Sequence, residues 1–74
     1  MDVADMVHQA NQIAQFFASY PAEEAIPGVA DHFRKFWEPR MRKQLLAHVK
    51  AGGEGLHALV LPAADRLSNT MGES

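Results

Sequence analysis

The sequence predicts an all-α fold, a small compact bundle of three to four short helices. Apolar residues recur at intervals of three and four through most of the chain. No run alternates apolar with polar residues as a half-buried strand would. Prolines and a double glycine fall between the periodic segments, where helices start and stop. Helices are expected over about residues 2–19, 23–37, 39–51 and 56–67, within a single domain of residues 1–67, followed by a disordered tail at 68–74.

Val3, Met6, Ala10, Ile13, Phe17 and Tyr20 are spaced 3, 4, 3, 4, 3, the period of an amphipathic helix. Asp2 is its expected N-cap. Phe16 lies about 100° round the helix from Phe17, so the two rings are expected to widen one apolar stripe. Pro21 ends the helix by disfavouring helical backbone at Tyr20. Pro21-Ala-Glu-Glu24 then opens a second helix, its acids matched to the positive end of the helix dipole. Ile26, Val29, Ala30, Phe33 and either Phe36 or Trp37 form the apolar face. Pro27 breaks this pattern and is expected to delay the regular helix to about residue 27 or to kink its first turn.

Glu38-Pro39 is the next boundary, because proline is pre-organised for a first helical position. Met41, Leu45, Leu46 and Val49 keep helical spacing up to Gly52-Gly53, a stop signal. The last apolar run extends from Leu56 to Leu67, and Pro62 is expected to divide it into a short turn and a final helix.

A chain of 74 residues is one domain at most, and at this size only about 60% of the unfolded surface is buried. Without cysteine it has neither disulfides nor thiolate metal sites to compensate. Tight helix packing, self-association or a larger partner must do so instead. No signal peptide and no membrane-length apolar run is expected, which points to the cytoplasm.

Catalytic constellations are sparse. His8, His32, His48 and His57 lie on four separate segments with no HxxxH or HExxH pair, so no metal site is expected. Glu23 and Glu24 are sequential and point about 100° apart on a helix. Candidate nucleophiles are scarce, with no Cys and with Ser only at Ser19, Ser68 and Ser74. Gly52-Gly53-Glu54-Gly55 lacks the Lys and Ser/Thr of a phosphate loop. Solvated or locally bonded side chains account for each of these, and no cofactor is expected on the chain itself.

Charge is distributed unevenly. Residues 31–43 hold the only Trp, two of the four Phe, and five of the seven Lys and Arg, in a chain of net charge −2. Aromatic residues with arginine are the composition of protein interfaces. Asp31 is expected to pair with Lys35 and Arg34 with Glu38, at i,i+4. Arg40, Arg42 and Lys43 fall at the start of a helix, where the dipole disfavours cations, and this suggests an acidic partner. Trp37 is expected either in the core or as an interface anchor, and Phe33 and Phe36 in the core. The expected partner-binding surface comprises Phe36, Trp37, Arg40, Met41 and Arg42, with Asn11 and Gln12.

Three blocks together carry a family likeness: Ala10-Asn-Gln-Ile-Ala-Gln-Phe-Phe17, Ala30-Asp-His-Phe-Arg-Lys-Phe-Trp-Glu-Pro-Arg-Met-Arg42, and Leu46-Ala-His-Val49 ahead of Gly52-Gly53 and Gly55-Leu56. On these the chain resembles the delta subunit of the NAD-dependent, molybdenum-containing formate dehydrogenase, over about residues 6 to 67. Pro27 and Pro62 depart from the family pattern, where helix formers are expected.

The resemblance implies a small non-catalytic subunit that associates with the catalytic alpha subunit and supports its cofactor-loaded assembly. In such a complex the alpha subunit carries the molybdopterin guanine dinucleotide and iron–sulfur clusters, and other subunits carry flavin and the NAD site. Alternatives from the residues are a freestanding homo-oligomeric helical adaptor, since the chain alone can self-associate through its apolar face, and a nucleic-acid module. A pI near 6.0 argues against the last.

Overall fold

A computed structural model describes residues 2–70, which form four helices and no strand: α1 (Val3–Phe17), α2 (Ala22–Phe36), α3 (Pro39–Lys50) and α4 (Val60–Thr70). Asp2 is the N-cap of α1 by position, but its carboxylate makes no capping bond; its main-chain carbonyl accepts from Met6 N–H at 2.9 Å. The carbonyl of Pro21 likewise accepts from Glu24 and Ala25 at 2.9 and 2.8 Å. α2 ends at Phe36: Trp37 is already extended, at ψ 140, and Pro39 keeps the next residue, Glu38, extended at ψ 153. α3 ends in a double hydrogen bond: Gly53 N–H donates to His48 O at 2.9 Å and Gly52 N–H to Val49 O at 3.0 Å. That pairing needs left-handed backbone, and Gly52 and Gly53 have φ of 123° and 66°.

Three boundaries differ from the sequence expectation. α2 starts at Ala22 and runs through Pro27. Proline there removes a single donor, the one that would serve Glu23 O, and the buried Ala25, Val29 and Phe33 on either side hold the helix together. Residues 56–59 are not helical: Leu56 N–H closes a turn on Gly53 O at 3.1 Å, and α4 begins only at Val60. Pro62 therefore sits in the first turn, where a missing N–H removes no intrahelical bond. α4 also continues to Thr70, so Ser68 and Asn69, expected in the tail, are helical; residues 71–74 lie outside the described residues.

α2 packs mainly on α4 and α1, and α3 closes the bundle against α4 and α1. Six of the buried residues are alanines: Ala10, Ala14, Ala25, Ala30, Ala63 and Ala64. Such small side chains allow the helix axes to approach closely, and Met6, Phe33, Leu45 and Leu67 fill the remaining volume. Gly28 serves the same end, since a Cβ there would lie 2.6 Å from Cε1 of Phe17. Trp37 is only 6% exposed and packs against Phe33 with ring centroids 4.6 Å apart.

The two remaining phenylalanines correct the sequence expectation. Phe16 does not widen the buried stripe and Phe36 does not enter the core; they are 67% and 71% exposed. Phe17 and Trp37 take the inward positions, and the residue before each is rotated about 100° away on a helix.

Candidate functional site

α1 and α2 lie side by side and leave between them a surface cleft of about 710 Å3. Its walls are His8, Gln9, Gln12, Ile13, Phe16 and Phe17 from one helix, and His32, Phe36 and Trp37 from the other. No Asp, Glu, Lys or Arg is among them, although such residues make up 22% of the chain. The two exposed rings are braced. Phe16 meets Phe17 edge-on at 5.1 Å and 88°, and His32 leans against Phe36 with centroids 4.8 Å apart. A braced aromatic loses little conformational freedom when a partner covers it.

Of the residues singled out in the sequence, the cleft brings together Phe36, Trp37 and Gln12. Arg42 has an internal role: its Nη1 donates to Trp37 O and, at 3.1 Å, to Arg34 O. A guanidinium thus satisfies carbonyls at the C-terminal end of α2, where the helix dipole favours a cation. Its Nε is buried without a partner among the described residues. Met41 is half-buried against the core. Arg40 is exposed and forms no ion pair among the described residues.

Asn11 is also occupied internally. Its Nδ2 donates to Gly55 O at 2.8 Å, and its Oδ1 accepts from His57 N–H at 2.8 Å. One amide therefore clamps the α3–α4 connection onto α1. Two histidines brace the same segment. His48 Nε2 donates to Glu54 O at 2.8 Å, and His57 Nδ1 accepts from Leu59 N–H at 3.0 Å, which places the proton of the neutral His57 ring on Nε2. Among the described residues no three His, Asp or Glu converge as a metal site would require.

The expected pairing of Arg34 with Glu38 gives way to a shorter reach: Arg34 and Asp31 form a salt bridge, and Lys35 Nζ lies 3.5 Å from the same carboxylate. The hydrogen bond from Arg34, with the charges of Arg34 and Lys35, holds the Asp31 carboxyl below its ordinary range.

Phe16 is the cleft residue that sequence reasoning missed as a surface group. The available signal was its position: Phe16 and Gln12 are four apart, as are Gln12 and His8, so Phe16 continues a polar stripe of α1.

The structure defines a small four-helix bundle whose most exposed aromatics flank an uncharged cleft. By sequence the chain belongs to the family of the NADH-dependent formate dehydrogenase delta subunit FdsD, whose family model matches residues 5–64. No curated protein and no solved structure gives a match. The common fingerprint for the dinucleotide in the family's description is a glycine-rich turn from strand to helix. The described residues form no strand, and Gly52-Gly53-Glu54-Gly55 joins two helices, so the described residues do not form that turn. No helix among the described residues is long and apolar enough to cross a membrane.

Proposed function

We propose that this chain is a non-catalytic accessory subunit, acting in the cytoplasm, that docks through the α1–α2 cleft on the molybdenum-carrying catalytic subunit of a formate dehydrogenase. The observation that carries this reading is the exposure of Phe16 and Phe36 on one uncharged cleft. Two braced aromatic rings in water are a cost to a lone chain and anchors in a complex. Family membership supplies the kind of complex. The subunit binds no cofactor of its own. It acts by mass action: a protein that binds only the folded, cofactor-accepting form of its partner stabilises that form.

Co-purification of the catalytic subunit with Phe16→Ala/Phe36→Ala tests the reading. Full burial of a phenylalanine stabilises by about 1.5–3 kcal/mol, and each ring has about two thirds of its surface left to bury, so the double variant is expected to weaken association by about tenfold or more. Undiminished association would reject the cleft as the docking surface. A second reading, self-association through the same rings, is distinguished by light scattering: a monomer at working concentration excludes it.

A further inference from the structure

We infer that the outward face of α3 is a second docking surface, one that takes a carboxylate-bearing face of the catalytic subunit. This inference rests on the accessory-subunit reading above but shares no residue with the cleft. α3 contains Arg40, Arg42, Lys43 and Lys50, four of the seven Lys and Arg, and no acid, in a chain whose net charge is −2. The four cations divide in two. Arg42 turns inward onto the carbonyls of Trp37 and Arg34. Arg40, Lys43 and Lys50 are exposed, and none makes an ion pair among the described residues. Asp65 borders the groove between α3 and α4 together with Lys43 and Lys50, yet it too makes no ion pair among the described residues.

At about 100° per residue these three side chains fall within roughly 80° of one another, and at 1.5 Å per residue they span about 15 Å of helix. Lys50 lies in the last turn, where the dipole favours it; Arg40 lies in the first turn, where the dipole opposes it, and Lys43 follows one turn further on. α3 itself carries no acid to offset that opposition, whereas Arg42, on the same helix, shows the internal solution. A row of carboxylates on the partner supplies the missing counter-charge. A nucleic-acid phosphate backbone is the weaker match, because the acidic balance of the whole chain repels it.

The stripe is peripheral to the aromatic cleft, so its effect falls on the rate and salt dependence of association. The experiment measures association of the full chain with the purified catalytic subunit at about 0.05 M and 0.5 M salt, between which screening shortens severalfold. The variants are Arg40→Glu/Lys43→Glu/Lys50→Glu, its all-Gln counterpart, and Phe16→Ala/Phe36→Ala, each checked for helix content. The wild type is expected to associate about tenfold or more faster than the Glu variant at low salt, with the Gln variant between them and the difference collapsing at high salt. The Phe variant is expected to keep the salt dependence while dissociating faster. Equal rates and equal salt dependence for wild type and Glu variant would overturn the inference while leaving the cleft reading intact. Absence of any wild-type association would reject the accessory-subunit reading itself. Binding of a generic DNA duplex by the wild type, lost in the Glu variant, would assign the stripe to nucleic acid and overturn the inference.

Discussion

Arg42 donates across the corner between α2 and α3 to the main-chain carbonyl of Trp37. The same nitrogen reaches Arg34 O at 3.1 Å, so a side chain from the start of one helix closes the end of the helix before it. Glu38 and Pro39 set the direction of the corner through backbone restriction, and Arg42 fixes its angle.

A hydrogen bond from a charged donor contributes about 1.5–3 kcal/mol. Arg42→Leu is therefore expected to lower stability by about 2 kcal/mol, read as the urea midpoint at constant slope. Arg42→Lys restores only part of the loss, because an ammonium cannot copy the planar fork. A Lys variant as stable as the wild type would remove the guanidinium from this account.

Asn11 makes two bonds to the α3–α4 connection, each about 1 kcal/mol. Asn11→Ala is expected to lose about 2 kcal/mol and to speed amide exchange at His57, whose N–H donates to this side chain. Asn11→Asp keeps the acceptor for His57 but sets a carboxylate oxygen against Gly55 O, so it rescues little. Unchanged exchange at His57 in Asn11→Ala would show that the clamp is not needed.

Gly28 reverses the usual propensity rule. Alanine in a helix gains about 1 kcal/mol over glycine, yet here its Cβ would lie 2.6 and 2.9 Å from two atoms of the Phe17 ring. Overpacking costs about 1–3 kcal/mol, so Gly28→Ala is expected to be destabilising by about 1 kcal/mol. Adding Phe17→Leu should relieve part of that, a non-additive pair visible in a double-mutant cycle.

Pro27 has the opposite sign. Pro27→Ala restores a donor to Glu23 O within an intact helix and is expected to raise stability by about 1 kcal/mol or more. A lower thermal midpoint would mean that the ring itself supports the packing.

Asp31 contributes a small acid-dependent term. Its carboxyl is lowered in the folded state by the hydrogen bond from Arg34 and the neighbouring charges. The stabilisation is therefore fully present above the ordinary value of 3.8 and lost as pH falls through the lower, folded value. The gap in thermal midpoint between wild type and Asp31→Asn is expected to be small at pH 7 and to close below that ordinary value. A gap that widens with acid would give the pair the wrong sign.

Much of the fold was legible because helix period and backbone punctuation act locally. The 3,4 spacing of α1 and the stops at Pro21, Pro39 and Gly52-Gly53 place their boundaries within a residue or two. Pro27 and Pro62 were harder to read, because how a proline is accommodated depends on where the turn begins and on the burial around it. The candidate site was legible only in part. Composition directed attention to Phe36, Trp37 and the arginines, but it could not separate Phe36 in solvent from Trp37 in the core, nor Arg40 facing outward from Arg42 folded back on α2.

By itself, then, the sequence determined an all-helical bundle and membership of the formate dehydrogenase delta subunit family, since repeat spacing and local blocks of residues are properties of the chain. Tertiary structure decided which aromatics face water, which arginine of α3 folds back onto α2, and that Asn11 closes a loop 44 residues away. Those outcomes depend on which faces of separate helices meet, and a helix presents every face until packing covers one of them.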